Sequence, residues 1–344
     1  MNQTQVKFFK KDFPQAKDFQ DFVLIYDLAI YKKNKDFKTW AQKFPNRLGV
    51  SSGEELKSLK SFESLLTQIA QKFPFISPKV GGFIAAGGGS LGDFVGFLAS
   101  VYKRGVSLVQ VPTTWLSAVD SAHGGKTALN FAGGKNQIGT FYSAEQVWIV
   151  KKFLDSNPLE REEEAWSEIF KMGLISSPKA YQQTVDCWNQ DQLFDILPTC
   201  IEAKYKVVQK DPYEESGVRR VLNFGHTVGH VLEAYHQIPH GQAVGAGLVY
   251  ALSWSAKLGH LKAQEFKKIA ESPWMQSLMN QTDAILEKPI PKKEFLKLLN
   301  QDKKITAHQE VVFVFLKKIG QAFQDKISIE KVYEEFERQR HERI

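Results

Sequence analysis

Three histidines set the chemistry this chain can do. His226, His230 and His240 fall within 15 residues of a chain that has eight histidines in all. His226 and His230 are four apart, so on a helix they share one face. His240 lies in Pro239-His-Gly241, which is expected to form a turn that folds back toward that face. Glu168 sits upstream in the helix-like run Ser167-Glu-Ile-Phe-Lys171. A carboxylate and two neutral imidazoles that leave a position open form a common set for a catalytic divalent metal. The competing reading of His-x-x-x-His alone is helix packing, so the case needs a second feature.

That feature is Gly87-Gly-Gly-Ser-Leu-Gly-Asp93, which follows an apolar run and opens a helix over Phe94–Tyr102. Glycines let a backbone approach a pyrophosphate, and a helix N-terminus offers its unpaired N–H groups. The spacing is not Gly-x-Gly-x-x-Gly, so the usual dinucleotide fingerprint is absent. Asp27, after the first central strand, suits a ribose hydroxyl or a helix N-cap equally well. Gly125-Lys-Thr127 resembles the end of a phosphate-binding P-loop, but residue 120 is Asp where that motif needs Gly, which excludes this class of ATPase.

Short apolar runs with intervening helical patterns must position these groups. Phe22–Tyr26, Gly82–Ala86, Val106–Val111 and Val147–Val150 read as strands of a parallel α/β sheet. Beyond about residue 151 the pattern turns helical, over Glu160–Leu174, Gln192–Val208, Asn223–His236 and Gly245–Leu258. A strand pair is expected near Val311–Leu316 and a surface helix over Ile329–Arg340. Asn157-Pro158 breaks the pattern, which places two domains at 1–152 and 153–344.

The net charge is +7, but lysines interleave with acids and there is no basic arm, so an anionic small substrate is a better partner than nucleic acid. No apolar run reaches the roughly 20 residues that span a bilayer, and the first ten residues lack a signal-peptide pattern. With only Cys187 and Cys200, a reducing cytoplasm is expected and a disulfide framework is not.

Taken in order, these motifs resemble the 3-dehydroquinate synthase family of sugar-phosphate cyclases. The matching segments are Glu54-x-x-Lys57, Gly87–Asp93, Pro112-Thr-Thr114, Asp120–Thr127, Gly134-Lys-Asn-x-Ile-Gly139 and Leu222-Asn-x-Gly-His-Thr-x-Gly-His230. They extend toward Asp302-Lys-Lys304, so they cover most of the chain. The resemblance implies an N-terminal α/β domain with a parallel sheet that binds NAD. It implies a mainly helical C-terminal domain that binds a divalent metal, zinc or cobalt, and a homodimer. It implies Glu168, His226 and His240 as metal ligands. Asp27, Glu54, Lys57, Gly88, Gly89, Asp93, Thr113, Thr114 and Lys135 would contact NAD. Asp120, Lys126, Asn136, Lys171, Arg219 and His230 would be catalytic, with Lys204, Asn223 and Lys304 binding substrate. Arg104 would reach the substrate phosphate of the neighbouring subunit.

The implied reaction converts 3-deoxy-D-arabino-heptulosonate 7-phosphate to 3-dehydroquinate and phosphate. Lysines suit its anions and developing oxyanions, and Arg219 suits a carboxylate. Related alternatives are a cyclase of sedoheptulose 7-phosphate or glucose 6-phosphate, a glycerol-type dehydrogenase and a non-catalytic paralog. Three positions depart from the family pattern: Gln242 replaces Glu, His123 replaces a small apolar residue, and Ala165-Trp-Ser167 replaces Gly-x-Ala.

Overall fold

The computed structural model describes residues 4–73, 81–190, 192–301 and 309–343. The chain divides into two compact units, Met1–Glu162 and Glu163–Ile344. The division falls ten residues beyond the one expected from sequence, inside the helix Leu159–Ser176. Phe153 supplies the reason. Its ring centroid lies 4.9 Å from that of Phe37 and 5.3 Å from that of Trp40, in the core of the first unit. The break at Asn157-Pro158 therefore separates two helices without ending the domain.

The first unit is built on a six-stranded sheet. In chain order its strands and those of a hairpin are β1 (Gln5–Phe9), β2 (Val23–Asp27), β3 (Arg47–Val50), β4 (Gly82–Gly87), β5 (Ser107–Pro112), β6 (Lys126–Phe131), β7 (Gly134–Phe141) and β8 (Gln146–Val150). The sheet order is β1-β8-β5-β4-β2-β3, and every pairing in it is parallel. The expected strands are β2, β4, β5 and β8. They read as continuous apolar runs because helices cover both faces of a parallel sheet, and β4 is buried along its whole length. The edge strands β1 and β3 were not expected. They are short, and at the sheet edges their apolar residues are interrupted by Lys7, Arg47 and Gly49, so no unbroken apolar run marks them.

From β2 the chain passes outward to β3, then returns to the other side of β2 as β4. A reversal of strand order opens a crevice beyond the carboxyl ends of the strands, where ligands of open α/β sheets bind. Asp27 ends β2 and Gly87 ends β4 at this place. The helix Gly89–Val101 starts immediately after, earlier than Phe94. Strands β6 and β7 form a separate antiparallel hairpin with a register shift between Leu129 and Phe131.

The second unit is mainly helical. It contains the rest of Leu159–Ser176, then Pro178–Asn189, Leu193–Val208, His226–His236, His240–Lys257, Ala263–Ala270, Pro273–Leu286, Lys292–Gln301 and Ile329–Arg343. The late strand pair is an antiparallel hairpin of β9 (Glu310–Lys318) and β10 (Gln321–Ser328). No described helix is long and apolar enough to cross a membrane.

Candidate metal centre and nucleotide loop

The helix Leu159–Ser176 opens with Glu160 and Glu162 in its first turn, where carboxylates favour the positive end of the helix dipole. From Glu164 to Leu174 every residue is buried. Phe170 stacks on Trp274 with centroids 3.7 Å apart, and Trp166 packs edge-on to Trp188 at 5.0 Å. Trp166, one of the departures from the family pattern, is thus part of the aromatic packing that fixes this helix. The same helix carries Glu168 and Lys171 three residues apart, with side chains 1% and 2% exposed.

Two further helices bring the imidazoles. His226–His236 follows Gly225, which has φ +82°. His240–Lys257 begins at His240 itself, so this histidine opens a helix and is not in a turn. The helix expected from Asn223 starts three residues later, and Val218–Asn223 form a 3₁₀ turn. The two helices approach closely because Gly247 lies against Gly225. A Cβ at 247 would come within 1.9 Å of the Gly225 carbonyl oxygen.

The result is a convergence of ligating atoms. Glu168, His226 and His240 each offer one such atom, and these lie within 4.8 Å of one another. His226 Nε2 is 3.3 Å and His240 Nε2 3.8 Å from Glu168 Oε1. Their Nδ1 atoms are held from behind, at 3.3 Å from the Phe224 carbonyl oxygen and 2.9 Å from Glu233 Oε2. A carboxylate or carbonyl behind each imidazole orients the other ring nitrogen toward a metal. Glu233 was not singled out by sequence; only its place one turn beyond Gly229-His230 on the same helix face offered a signal.

Burial pushes His226 down to about 3, helped by the positive charge of Lys171. His240 is pushed the other way. Burial opposes its charge, yet the nearby Glu168 carboxylate and a hydrogen bond to the Glu233 carboxylate raise it to about 10. For Glu168 burial alone would favour the neutral acid, but Lys171 and His226 hold it well below the usual carboxylate range. Lys171 Nζ makes a close ion pair with Glu168 Oε2. Even so, neither carboxylate oxygen has a well-aligned hydrogen bond. A buried, ionised carboxylate held only by charge contacts and faced by two Nε2 atoms fits a divalent cation.

The other expected residues of this unit lie on its helices and on the turn before His226. His230 packs near it, with ring centroids 5.3 Å from His226 and 6.1 Å from His240. Lys204 is buried on the helix Leu193–Val208. Arg219 is buried in the 3₁₀ turn, where its Nη1 donates to the Pro212 carbonyl and its backbone N–H to Asp211. Asn223 ends that turn. Gln242 is exposed in the first turn of its helix. Lys304 lies outside the described residues.

In the first unit the glycine loop caps the helix Gly89–Val101. Gly88 stands at the N-cap and offers no side chain to its N–H groups, which suits an anion. Thr113 N–H donates to the Gly87 carbonyl, placing Thr113 and Thr114 beside the loop. Asp27 is the N-cap of the next helix, accepting from Ala29 N–H at 2.8 Å, and its other oxygen accepts from Ser52 at 2.5 Å. Lys57 is buried and ion-pairs with Asp93 at 2.7 Å, with Glu54 3.9 Å away. Asp120 lies in a π-helical turn, Ser117–Ser121. Lys126 opens β6, and Lys135 and Asn136 lie at the start of β7. His123 is buried with Nε2 2.9 Å from the Ala118 carbonyl, so it braces that turn. Arg104 is exposed in a turn where both Lys103 and Arg104 have positive φ.

The family described as 3-dehydroquinate synthase N-terminal matches residues 47–164, and 3-dehydroquinate synthase C-terminal matches residues 165–305. A 3-dehydroquinate synthase of Methylacidiphilum infernorum (isolate V4) is 36% identical over 279 residues, 80% of this chain and 75% of that protein. Among solved structures, 2-deoxy-scyllo-inosose synthase complexed with carbaglucose-6-phosphate, NAD⁺ and Co²⁺ is 21% identical. It covers 96% of this chain and 95% of its own, with a TM-score of 0.77. The 2-epi-5-epi-valiolone synthase from Streptomyces hygroscopicus subsp. jinggangensis 5008, with NAD⁺ and Zn²⁺ bound, is 18% identical. It covers 98% of both chains with a TM-score of 0.79. At these identities the two structures establish the fold.

Proposed function

The chain belongs to the 3-dehydroquinate synthase family, and from that premise we propose that it converts 3-deoxy-D-arabino-heptulosonate 7-phosphate to 3-dehydroquinate and phosphate. The reaction makes it a phosphate-eliminating carbon–oxygen lyase of the shikimate pathway. The observation that carries the reading is the approach of both Nε2 atoms to the buried Glu168 carboxylate. When bound, NAD⁺ would take and return hydride at the substrate C5 carbinol, and zinc or cobalt would polarise its oxygen.

The chain's own groups do the rest. Glu168, His226 and His240 would hold the ion, with Glu233 keeping His240 in register. Lys171 carries a buried positive charge beside this set, suited to a developing oxyanion. His230, beside His226, is placed to hold a proton. Asp120, Lys126 and Asn136 would orient the substrate. Arg219, Lys204 and Asn223 would bind its carboxylate, a group that sedoheptulose 7-phosphate lacks. Gly88, Gly89, Asp93, Thr113, Thr114, Glu54, Lys57, Lys135 and Asp27 would line the NAD pocket, the uncapped helix N-terminus supporting the pyrophosphate. Arg104 would serve the partner's substrate phosphate in a cytoplasmic homodimer.

The test is phosphate release by purified protein with catalytic NAD⁺ and zinc or cobalt, followed together with absorbance at 340 nm. Release from 3-deoxy-D-arabino-heptulosonate 7-phosphate alone, without NADH build-up, is the expected result. Release from sedoheptulose 7-phosphate alone would move the protein to another cyclase. Steady NADH formation from a simple alcohol would make it a dehydrogenase.

A further inference from the structure

Asn130 occupies the register shift of the β6–β7 hairpin, and its backbone N–H and both side-chain polar groups are used. Its backbone N–H donates to the Lys57 carbonyl at 2.6 Å. Its Oδ1 accepts from the Asn136 N–H at 2.9 Å, and its Nδ2 donates to Glu54 Oε1 at 2.8 Å. A bulge takes a residue out of the ladder and re-aims its side chain. Here that side chain supplies the bond that the ladder does not give to Asn136. Asn136 needs such support, because its φ of +55° is a left-handed conformation unusual in a strand.

Lys57 completes the link. Its ammonium, 3% exposed, donates to Asp93 Oδ2 at 2.7 Å and closely to Asn136 Oδ1. An ammonium can only donate, so the Asn136 amide must turn its oxygen to Lys57 and present its NH₂ as the opposite edge. The network therefore runs from Glu54 and Asp93, through Asn130 and Lys57, to Asn136.

Resting on the function proposed above, we propose that Asn130 is a positioning residue, joined with Lys57. Together they tie the cofactor-contacting carboxylates to Asn136, so that cofactor occupancy sets the amide that meets the substrate. Cofactor should then organise the hairpin before substrate binds.

The experiment compares wild type, Asn130→Ala and Asn130→Asp. Hydrogen exchange of residues 126–141 is measured with and without NAD⁺, alongside NAD⁺ affinity and steady-state kinetics. In wild type, NAD⁺ should slow exchange in the hairpin. Asn130→Ala should lose that response and drop kcat at saturating NAD⁺ by roughly 10- to 100-fold. Its NAD⁺ affinity should change by less than about 3-fold, the size expected when a group acts on geometry and does not bind the ligand. Asn130→Asp keeps the acceptor for Asn136 but loses the donor to Glu54. It should retain most of kcat while losing the NAD⁺ response, which also guards against a variant that simply folds poorly. The proposal is overturned if Asn130→Ala weakens NAD⁺ binding as much as it lowers kcat/KM, or leaves exchange and kinetics as in wild type. A wild type that fails to release phosphate, yet shows the NAD⁺ response, would sink the function and leave the linkage standing.

Discussion

Each unit buries a lysine against a carboxylate, and the two pairs are finished differently. In the first unit Lys57 meets Asp93 in a 2.7 Å hydrogen bond, and the Asn136 amide takes a second donor. Burial raises Asp93 and Lys57 opposes that rise. In the second unit Lys171 meets Glu168 on the same helix, but the carboxylate oxygens have no well-aligned hydrogen bond and two imidazoles crowd one of them. A buried lysine hydrogen-bonded to two neighbours is a fixture; an ion pair whose carboxylate has no well-aligned hydrogen bond can trade its partner for a stronger cation. Under the proposed function the first pair would brace the cofactor site and the second would stand where the metal binds.

The most severe way to break this contrast is Glu168→Gln, which keeps shape and removes charge. Phosphate release should fall roughly a thousand-fold, about 4 kcal/mol of barrier, and bound metal by elemental analysis should fall with it. Retained metal would assign the binding to other groups.

Next in size are the lysines. Lys57→Met leaves Asp93 without its cation and should lower stability in denaturant by about 3 kcal/mol, with or without metal. Lys171→Met should also destabilise the metal-free protein, but zinc should recover most of the loss, because the ion replaces the missing charge. Equal metal-independence in both variants would erase the distinction.

A smaller effect is a proton. His240, raised to about 10, is charged at neutral pH without metal and must lose its proton to ligate. Its stabilising charge is present below its unfolded value of about 6.5 and disappears as pH rises through about 10. His226, at about 3, is already neutral, and its contribution runs oppositely: stability falls as pH drops from about 6.5 toward 3. Metal binding at pH 7 should therefore release about one proton, read by calorimetry in buffers of different ionisation enthalpy. His240→Ala should abolish the release. The least effect belongs to the exposed pair Lys206–Glu202, where Lys206→Ala should leave the denaturant midpoint as in wild type.

These pairs also mark what sequence could disclose. The central strands were legible because a covered parallel sheet demands unbroken apolar runs, as in Val23–Ile25 and Phe83–Ala86. Strands β1 and β3 were not, since an exposed edge with Lys7 or Arg47 has no such demand. The hairpin β6–β7 has no such run for a related reason: its glycines and polar residues carry motif signals, and their strand pairing comes from tertiary contact. His226, His240 and Glu168 were visible through residue type and spacing. Asn130 and Glu233 were not, because an amide or carboxylate that acts by bracing another side chain looks like any surface polar residue until the chain has folded. Asp27 admitted two readings in sequence, and the structure shows it capping a helix.

The helices that carry His226 and His240 are joined by only Gln237, Ile238 and Pro239. Closing so short a connection costs little chain entropy, and contacts made across it form early when folding rates follow contact order. Glu168 comes from 58 residues before His226 and must be recruited over a much longer loop. The two imidazoles thus form the local half of the site. A metal added during refolding should speed formation of the helical pair before Glu168 arrives, making the ion a folding partner of this unit as well as its catalyst.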